Sequence, residues 1–496
     1  MSAPRGSTLL AAGVAGVLLG LAWASPRQVP YDMDEFAHYQ PLGCLAHPLS
    51  REHNLRRESC GAYDLRLPGT SVFLPLRSYL YIGSLPVLPF YPFWRILQDP
   101  VAARLQGAFF FVLAGVLVAR ITGATPLMGI VSGLVLPPYA FSFLVDTGPV
   151  GLSVVLLLMA MLLFTSEGDE GAFSRASLGG FCAFLGIFTK PVFGWALPAL
   201  GLYALVRMRP RKALLGALLA FLLPTLTLAF SVDRSGDRYY ELVRLGGVST
   251  GGVSGVSGHF ASYLFQGSEI LPRSLTLTHF ALDALPGIAL LLILALGLLP
   301  GAGGAGKTRL FVLLALLTLA ATLLTGSAFW PHHFALTGAF LQLALAARLS
   351  GGAPLEGRVF YAFVALFWAW LLVRIPHATQ APEANEAKDR LLAFLQKEGL
   401  PSRVVEVHTG WGTFYLSHLF GPRDEEVLYF RLREWTESGS QLAQVKALAM
   451  SQGRPILVIT SRSLALTDTP LVHEVLGPPA SRYTFDNWEA LVYKPQ

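Results

Sequence analysis

Residues 30–41, PYDMDEFAHYQP, gather three carboxylates, Asp32, Asp34 and Glu35, with His38 and Tyr39 about one turn further on. A carboxylate that reaches both water and a substrate hydroxyl is the equipment of a general base. Part of the cluster has a plainer use. If a helix starts at Asp32, that residue is the N-cap and Glu35 its N3 partner, a capping box. Asp34, at N2, is then left without a capping role, and it shares a helix face with His38 four residues later.

Other side chains qualify for chemistry by type and position. Lys190, in GIFTKPVFG, ends an apolar run. Ionisable residues in such runs are functional candidates, although a lysine near a helix end also snorkels to an interface. Asp146, in FLVDTGPVG, suits an N-cap for the helix that follows or a group in a substrate site. His332 and His333, in FWPHHFAL, read either as a polar helix entry beside an aromatic belt or as donors facing an anion, which a helix N-terminus favours. Residues 301–308, GAGGAGKT, fit the P-loop spacing, but they join two apolar runs instead of a strand and a helix, so they read as a short turn. Cys44 and Cys60 share the first hydrophilic loop, where an oxidising compartment permits a disulfide that spacing alone leaves open. Cys182 reads as a small apolar filler, and no Cys/His spacing resembles a zinc site.

The elements that must position these groups are apolar. Of 496 residues, 53% are hydrophobic and 14% charged, against about 25% charged in soluble domains. Residues 8–24, 105–119, 124–143, 149–164, 177–206, 213–230, 284–299, 309–325, 333–348 and 359–374 are nearly free of charge. Several approach the ~20 residues that cross a bilayer, and 8–24 is expected to stay as an uncleaved first helix. The net charge of +6 sits largely in short loops, which speaks to orientation and not to nucleic acid. RMRPRK at 207–212, Lys307 with Arg309, and Arg348 with Arg358 mark the cytoplasmic side. Residues 26–75, 231–282, 326–332 and everything past about 376 then lie outside, as do Asp146 and the tip of the hairpin into which Lys190 splits the run 177–206. An even number of crossings must separate the first loop from Asp146, yet 76–95, 105–119 and 124–143 offer three. Residues 76–95, interrupted by Pro86, Pro89 and Pro92, are expected not to cross. About eleven crossings remain.

Past residue 375 the pattern changes. RLLAFLQKEGL predicts a helix, VVEVH a strand, WGTFYLSHLF a helix, EVLYF a strand, 433–450 a helix, and PILVIT, SRYTF and EALVYK strands. The expected architecture is an all-α polytopic membrane domain over 1–375 with a C-terminal extracytoplasmic α/β domain over 376–496.

A first helix, an external loop with an Asp-Glu pair, a further external aspartate, a lysine at a hairpin tip, more helices and an external domain: this order resembles the GT-C superfamily of membrane glycosyltransferases. The likeness is to the lipid A aminoarabinose transferase and protein O-mannosyltransferase group. DPVAARLQGAFFFVLAGVLVARITG and FTKPVFGWALPALGLYALVR resemble family segments, while FLPLRSYLYIGSLP stands where the family commonly has a His-Pro-Pro stretch. The resemblance covers roughly residues 8–375. It implies an inverting glycosyltransferase that moves a sugar from a polyprenyl-phosphate donor to a lipid, glycan or protein acceptor on the outer, periplasmic face of the plasma membrane. It implies Asp34 as base with Glu35 in support, Lys190 on the donor phosphate and Asp146 near the reacting groups. His332 and His333 are further candidates for the phosphate, and His38 and Tyr39 for the substrate site. No cofactor or metal is expected, although Asp34 with Asp146 could hold a divalent ion. A relative without catalysis acting as a scaffold, or a lipid-linked glycan transporter or flippase, are the other function classes. A transporter should place charges at the bilayer midplane in related halves, whereas the acids here fall in loops.

Overall fold

The computed structural model describes residues 5–24, 63–66, 73–78, 82–83, 88–97, 99–144, 149–165, 171–208, 211–233, 305–325, 334–351, scattered positions between 358 and 397, 405–409, 428–431, 438–461, 472–485 and 488–494. The chain forms two compact units, Met1–Trp23 with Arg104–Thr379, and Ala24–Ala103 with Gln380–Gln496. In chain order the helices are α1 (Arg5–Ala24), α2 (Tyr91–Ile96), α3 (Asp99–Thr122), α4 (Pro126–Leu134), α5 (Pro137–Leu144), α6 (Pro149–Thr165), α7 (Ala172–Thr189), α8 (Leu197–Arg207), α9 (Arg211–Asp233), α10 (Ala305–Thr325), α11 (Ala335–Ser350) and α12 (Ser438–Ser451).

The first unit is helical. Its centre is built by α6 and α11, which are apolar on all sides and therefore buried on all sides. α6 packs on α5, α7, α8 and α11, and α11 also packs on α4 and α10. α9 lies on the periphery: Ala213 and Ala217 face inward, while Leu215, Leu218, Leu222, Leu223 and Leu226 are exposed. An apolar surface of that kind suits hydrocarbon better than water. By length and composition, Ala102–Thr122 and Ala172–Thr189 are the two helices among the described residues that can cross a membrane.

Small residues let these helices approach closely, as they do where association depends on van der Waals contact. A Cβ on Gly180 of α7 would stand 2.0 Å from the Ala217 carbonyl oxygen of α9, and one on Gly179 would meet the Phe164 ring of α6 at 2.5 Å. One buried polar side chain ties three of these helices together. Gln342 of α11 donates from Nε2 to the Gly129 carbonyl of α4 (2.7 Å) and accepts the Tyr139 hydroxyl of α5 on Oε1 (2.6 Å).

The apolar run 124–143, expected as one crossing, is two short helices. Pro137 and Pro138 start α5, and their missing N–H groups end α4. Leu134 loses the donor that residue 138 would normally supply, and the indole N–H of Trp368 takes its place at 2.7 Å. Residues 76–95, expected not to cross, hold only strand residues, a 3-10 turn at Leu88–Phe90 and the six-residue α2 among those described. Six residues of helix are about 9 Å long.

The second unit contains both sheets. β1 (Tyr63–Arg66), β2 (Phe73–Ser78) and β3 (Ile82–Gly83) form an antiparallel meander. Trp94 of α2 is buried against Ala102 and Ala103. The larger sheet has the order β5-β4-β6-β8-β7, from β4 (Val405–Thr409), β5 (Leu428–Arg431), β6 (Ile456–Ser461), β7 (Ser481–Phe485) and β8 (Trp488–Tyr493). β5, β4 and β6 are parallel, and β8 and β7 continue antiparallel. α12 covers one face, its Leu442, Val445, Leu448 and Ala449 meeting Ile456, Val458, Leu491 and Tyr493. The helix ends at Gly453, whose φ of 62° lies in the left-handed region. Arg454 N–H reaches the Ala449 carbonyl and Gly453 N–H the Met450 carbonyl, closing a Schellman motif. Each strand of the larger sheet starts within two residues of its sequence-based position, whereas β1, β2 and β3 were not expected as strands.

Candidate functional site

Of the residues singled out for chemistry, Lys190 is the one the structure describes. Asp32, Asp34, Glu35, His38, Tyr39, Asp146, His332 and His333 lie outside the described residues, as do Cys44 and Cys60.

Lys190 owes its place to the residue after it. Proline disfavours the helical region for its predecessor, so α7 stops at Thr189 and Lys190 is extended, with φ −156° and ψ 135°. Pro191 then opens a 3-10 turn, Pro191–Ala196, that leads into α8. Both backbone groups of Lys190 are used: its N–H reaches the Gly186 carbonyl at 3.1 Å, and its carbonyl accepts Phe193 N–H at 3.1 Å. Ser153 of α6 also donates to the Gly186 carbonyl, at 3.5 Å. Gly186 is required here because a Cβ would meet the Phe193 ring at 2.5 Å. The break is thus clamped by α6, by the last turn of α7 and by an aromatic ring.

The lysine side chain is 4% exposed. A snorkelling lysine carries its ammonium out to the interface, and this one does not. It sits instead at the carboxyl end of α7, where the helix dipole favours a cation. Lysine offers three rotatable donors on a point charge, which suits the oxygens of a phosphate. The run 177–206, expected as a hairpin with Lys190 at its tip, does divide at Lys190, but its two arms pack mainly on other helices, α7 on α9 and α6, α8 on α10 and α6.

Sequence reading passed over a second buried cation. Arg104, near the start of α3, is 1% exposed, and Gln106 beside it is 3% exposed. The signal was present as one charge in VAARLQGAFFF, at the edge of the apolar run that began at residue 105. Lys307, from the P-loop lookalike, lies in the first turn of α10, and its ammonium reaches the Thr122 carbonyl at the end of α3 at 3.4 Å. Its charge serves a helix terminus. Cys182 is a buried free thiol inside α7, as an apolar filler should be.

No protein-family model matches this chain, and no curated protein matches it. Among solved structures, the chain is similar to the crystal structure of ArnT from Cupriavidus metallidurans bound to undecaprenyl phosphate, at 12% identity and a TM-score of 0.47. That alignment covers 99% of this chain and 98% of ArnT.

Proposed function

We propose that the protein is a multi-pass membrane glycosyltransferase that moves a sugar from a polyprenyl-phosphate donor to an acceptor hydroxyl on the outer face of the plasma membrane. The observation that carries this reading is Lys190, a cation buried at a helix break that proline and glycine hold in place. Phosphate departure develops negative charge, and a fixed cation in a water-poor site offsets it. The residues of the acidic loop supply the other half. Asp34 takes the acceptor proton as the acceptor oxygen bonds the anomeric carbon from the face opposite the phosphate. The phosphate then leaves with the bonding electron pair, and the anomeric centre is inverted. Glu35 supports Asp34, Asp146 lies near the reacting groups, and His332 and His333 join Lys190 on the phosphate. The membrane location follows from the substrate, since a polyprenyl chain delivers its phosphate at the bilayer surface.

The test is release of polyprenyl phosphate by purified protein in liposomes, with a panel of polyprenyl-phosphate pentoses and hexoses. Asp34→Asn keeps size and removes the proton acceptor, so turnover should fall about 10²- to 10⁴-fold. If Asp32 is the N-cap that the sequence suggests, Asp32→Ala costs about 1 kcal/mol of helix stability and should remain active. Full activity in Asp34→Asn, or no turnover of any donor by the unaltered protein, refutes the reading.

A further inference from the structure

One face of α9 is left over by the proposed transfer. Arg211, Leu215, Leu218, Leu222 and Leu226 follow one another at spacings of four, three, four and four, so they lie along one side of the helix. All five are exposed, the leucines by 36–53%. Lys212, next to Arg211, is exposed as well.

The opposite side of α9 is taken up by α7. A Cβ on Gly216 would meet Ser177 Oγ at 2.8 Å and the Phe173 ring at 2.9 Å, and one on Gly180 would meet the Ala217 carbonyl. Early residues of α7 thus touch early residues of α9, so the two helices run the same way and their starts lie together. Lys190 is at the far end of α7, whose 18 residues are about 27 Å long. Arg207, the exposed last residue of α8, is joined to Arg211 by three residues and brings a third cation to the near end. Residues 171–232 hold six basic residues and no acid, and the nearest acids along the chain are Glu170, before α7, and Asp233, the last residue of α9.

The leucine stripe is one leaflet deep. From Leu215 to Leu226 the helix rises about 16 Å, and half of a hydrocarbon core is about 15 Å. Cations at the head of such a stripe match a negative headgroup on acyl chains. A second copy packed face to face would set its own Arg211 and Lys212 against these at the same level, like charge on like.

We infer that this face of α9 binds an anionic phospholipid, with the phosphate on Arg211 and Lys212 and the acyl chains along the leucines. No residue assigned to the transfer takes part, so either reading can fail without the other.

The experiment places benzoylphenylalanine at position 218 of the full-length protein, in liposomes of equal phosphatidylglycerol and phosphatidylcholine with identical acyl chains. Irradiation bonds the label to whatever covers it, and the mass of the adduct identifies the occupant without any turnover assay. Phosphatidylglycerol adducts should exceed phosphatidylcholine adducts about fivefold for each exposed cation, or about 25-fold for the pair. Arg211→Gln/Lys212→Gln should bring that ratio close to one. Each single change, at an exposed position that disturbs no packing, should lower it about fivefold if the double variant inserts poorly. Equal adducts of the two lipids, a ratio that survives all three variants, or an adduct to a peptide of this chain or of a second copy overturns the inference.

Discussion

Replacing Gly180 by alanine puts a methyl group where α7 crosses α9. An ideal Cβ there stands 2.0 Å from the Ala217 carbonyl oxygen and 2.7 Å from its carbon. Carbon–oxygen contacts in packed helices settle at about 3.3 Å, so the two backbones must part by about 1.3 Å. Both obstructing atoms are backbone, and neither can rotate aside. Overpacking of this kind costs about 1–3 kcal/mol. The displacement also runs along α7 to its last turn, where Lys190 sits, and a shift of about 1 Å at a reacting group costs on the order of 10²-fold in rate. The assay pairs a melting curve in detergent with donor turnover. Gly201→Ala in α8 is the control, because nothing lies within 4 Å of its Cβ. That change should be neutral or gain about 0.5–1 kcal/mol from helix propensity. Should Gly180→Ala melt and turn over like the unaltered protein, or Gly201→Ala lose as much, the close crossing does not position the lysine.

Lys190→Met keeps the packed stem and removes the charge, so affinity for polyprenyl phosphate should drop about 10- to 150-fold, the worth of a charged hydrogen bond. Its melting temperature should hold or rise, and unchanged lipid binding would take Lys190 out of the site. In the second unit, burial pushes the Tyr493 hydroxyl up to about 12 from its ordinary 10.0, with smaller effects from Arg482, which lowers it, and Glu489, which raises it. The stability this tyrosine contributes is complete below pH 10.0 and is lost as pH rises toward about 12, because the unfolded chain ionises first. Tyr493→Phe should flatten that alkaline decline in a urea-melt series. It should cost nothing at neutral pH, since the buried hydroxyl has no hydrogen-bond partner among the described residues. A neutral-pH loss of stability, or an unchanged alkaline slope, would contradict the assignment.

Local rules were legible in the sequence, and long-range ones were not. SRYTF was read as a strand to the residue because alternation and flanking turn residues specify it locally. The division at Lys190 was legible from the charge that ends the apolar run. The proline rule that set 76–95 aside was not carried to Pro137-Pro138, where continuous hydropathy counts proline as one residue in an apolar run, and the two-helix arrangement was missed. Burial of Arg104 and the joining of Tyr139 to Gln342 depend on partners that periodicity does not see; the latter pair is 203 residues apart. The depth of Lys190 was likewise out of reach. A charge at the end of an apolar run has the same spelling whether it turns outward or inward, and the outcome is decided by Gly186, Phe193 and Ser153 packing round the break.

Trp368 gives the helical unit an order of assembly. Its indole satisfies the Leu134 carbonyl across 234 residues of chain. A ribosome delivers α4 and α5 long before it reaches Trp368, and a buried carbonyl left unmet costs about 1–3 kcal/mol. Until then the α4–α5 joint must borrow a donor from its surroundings. The joint is therefore an address that recruits a late helix, and an early-stopping chain would leave it open.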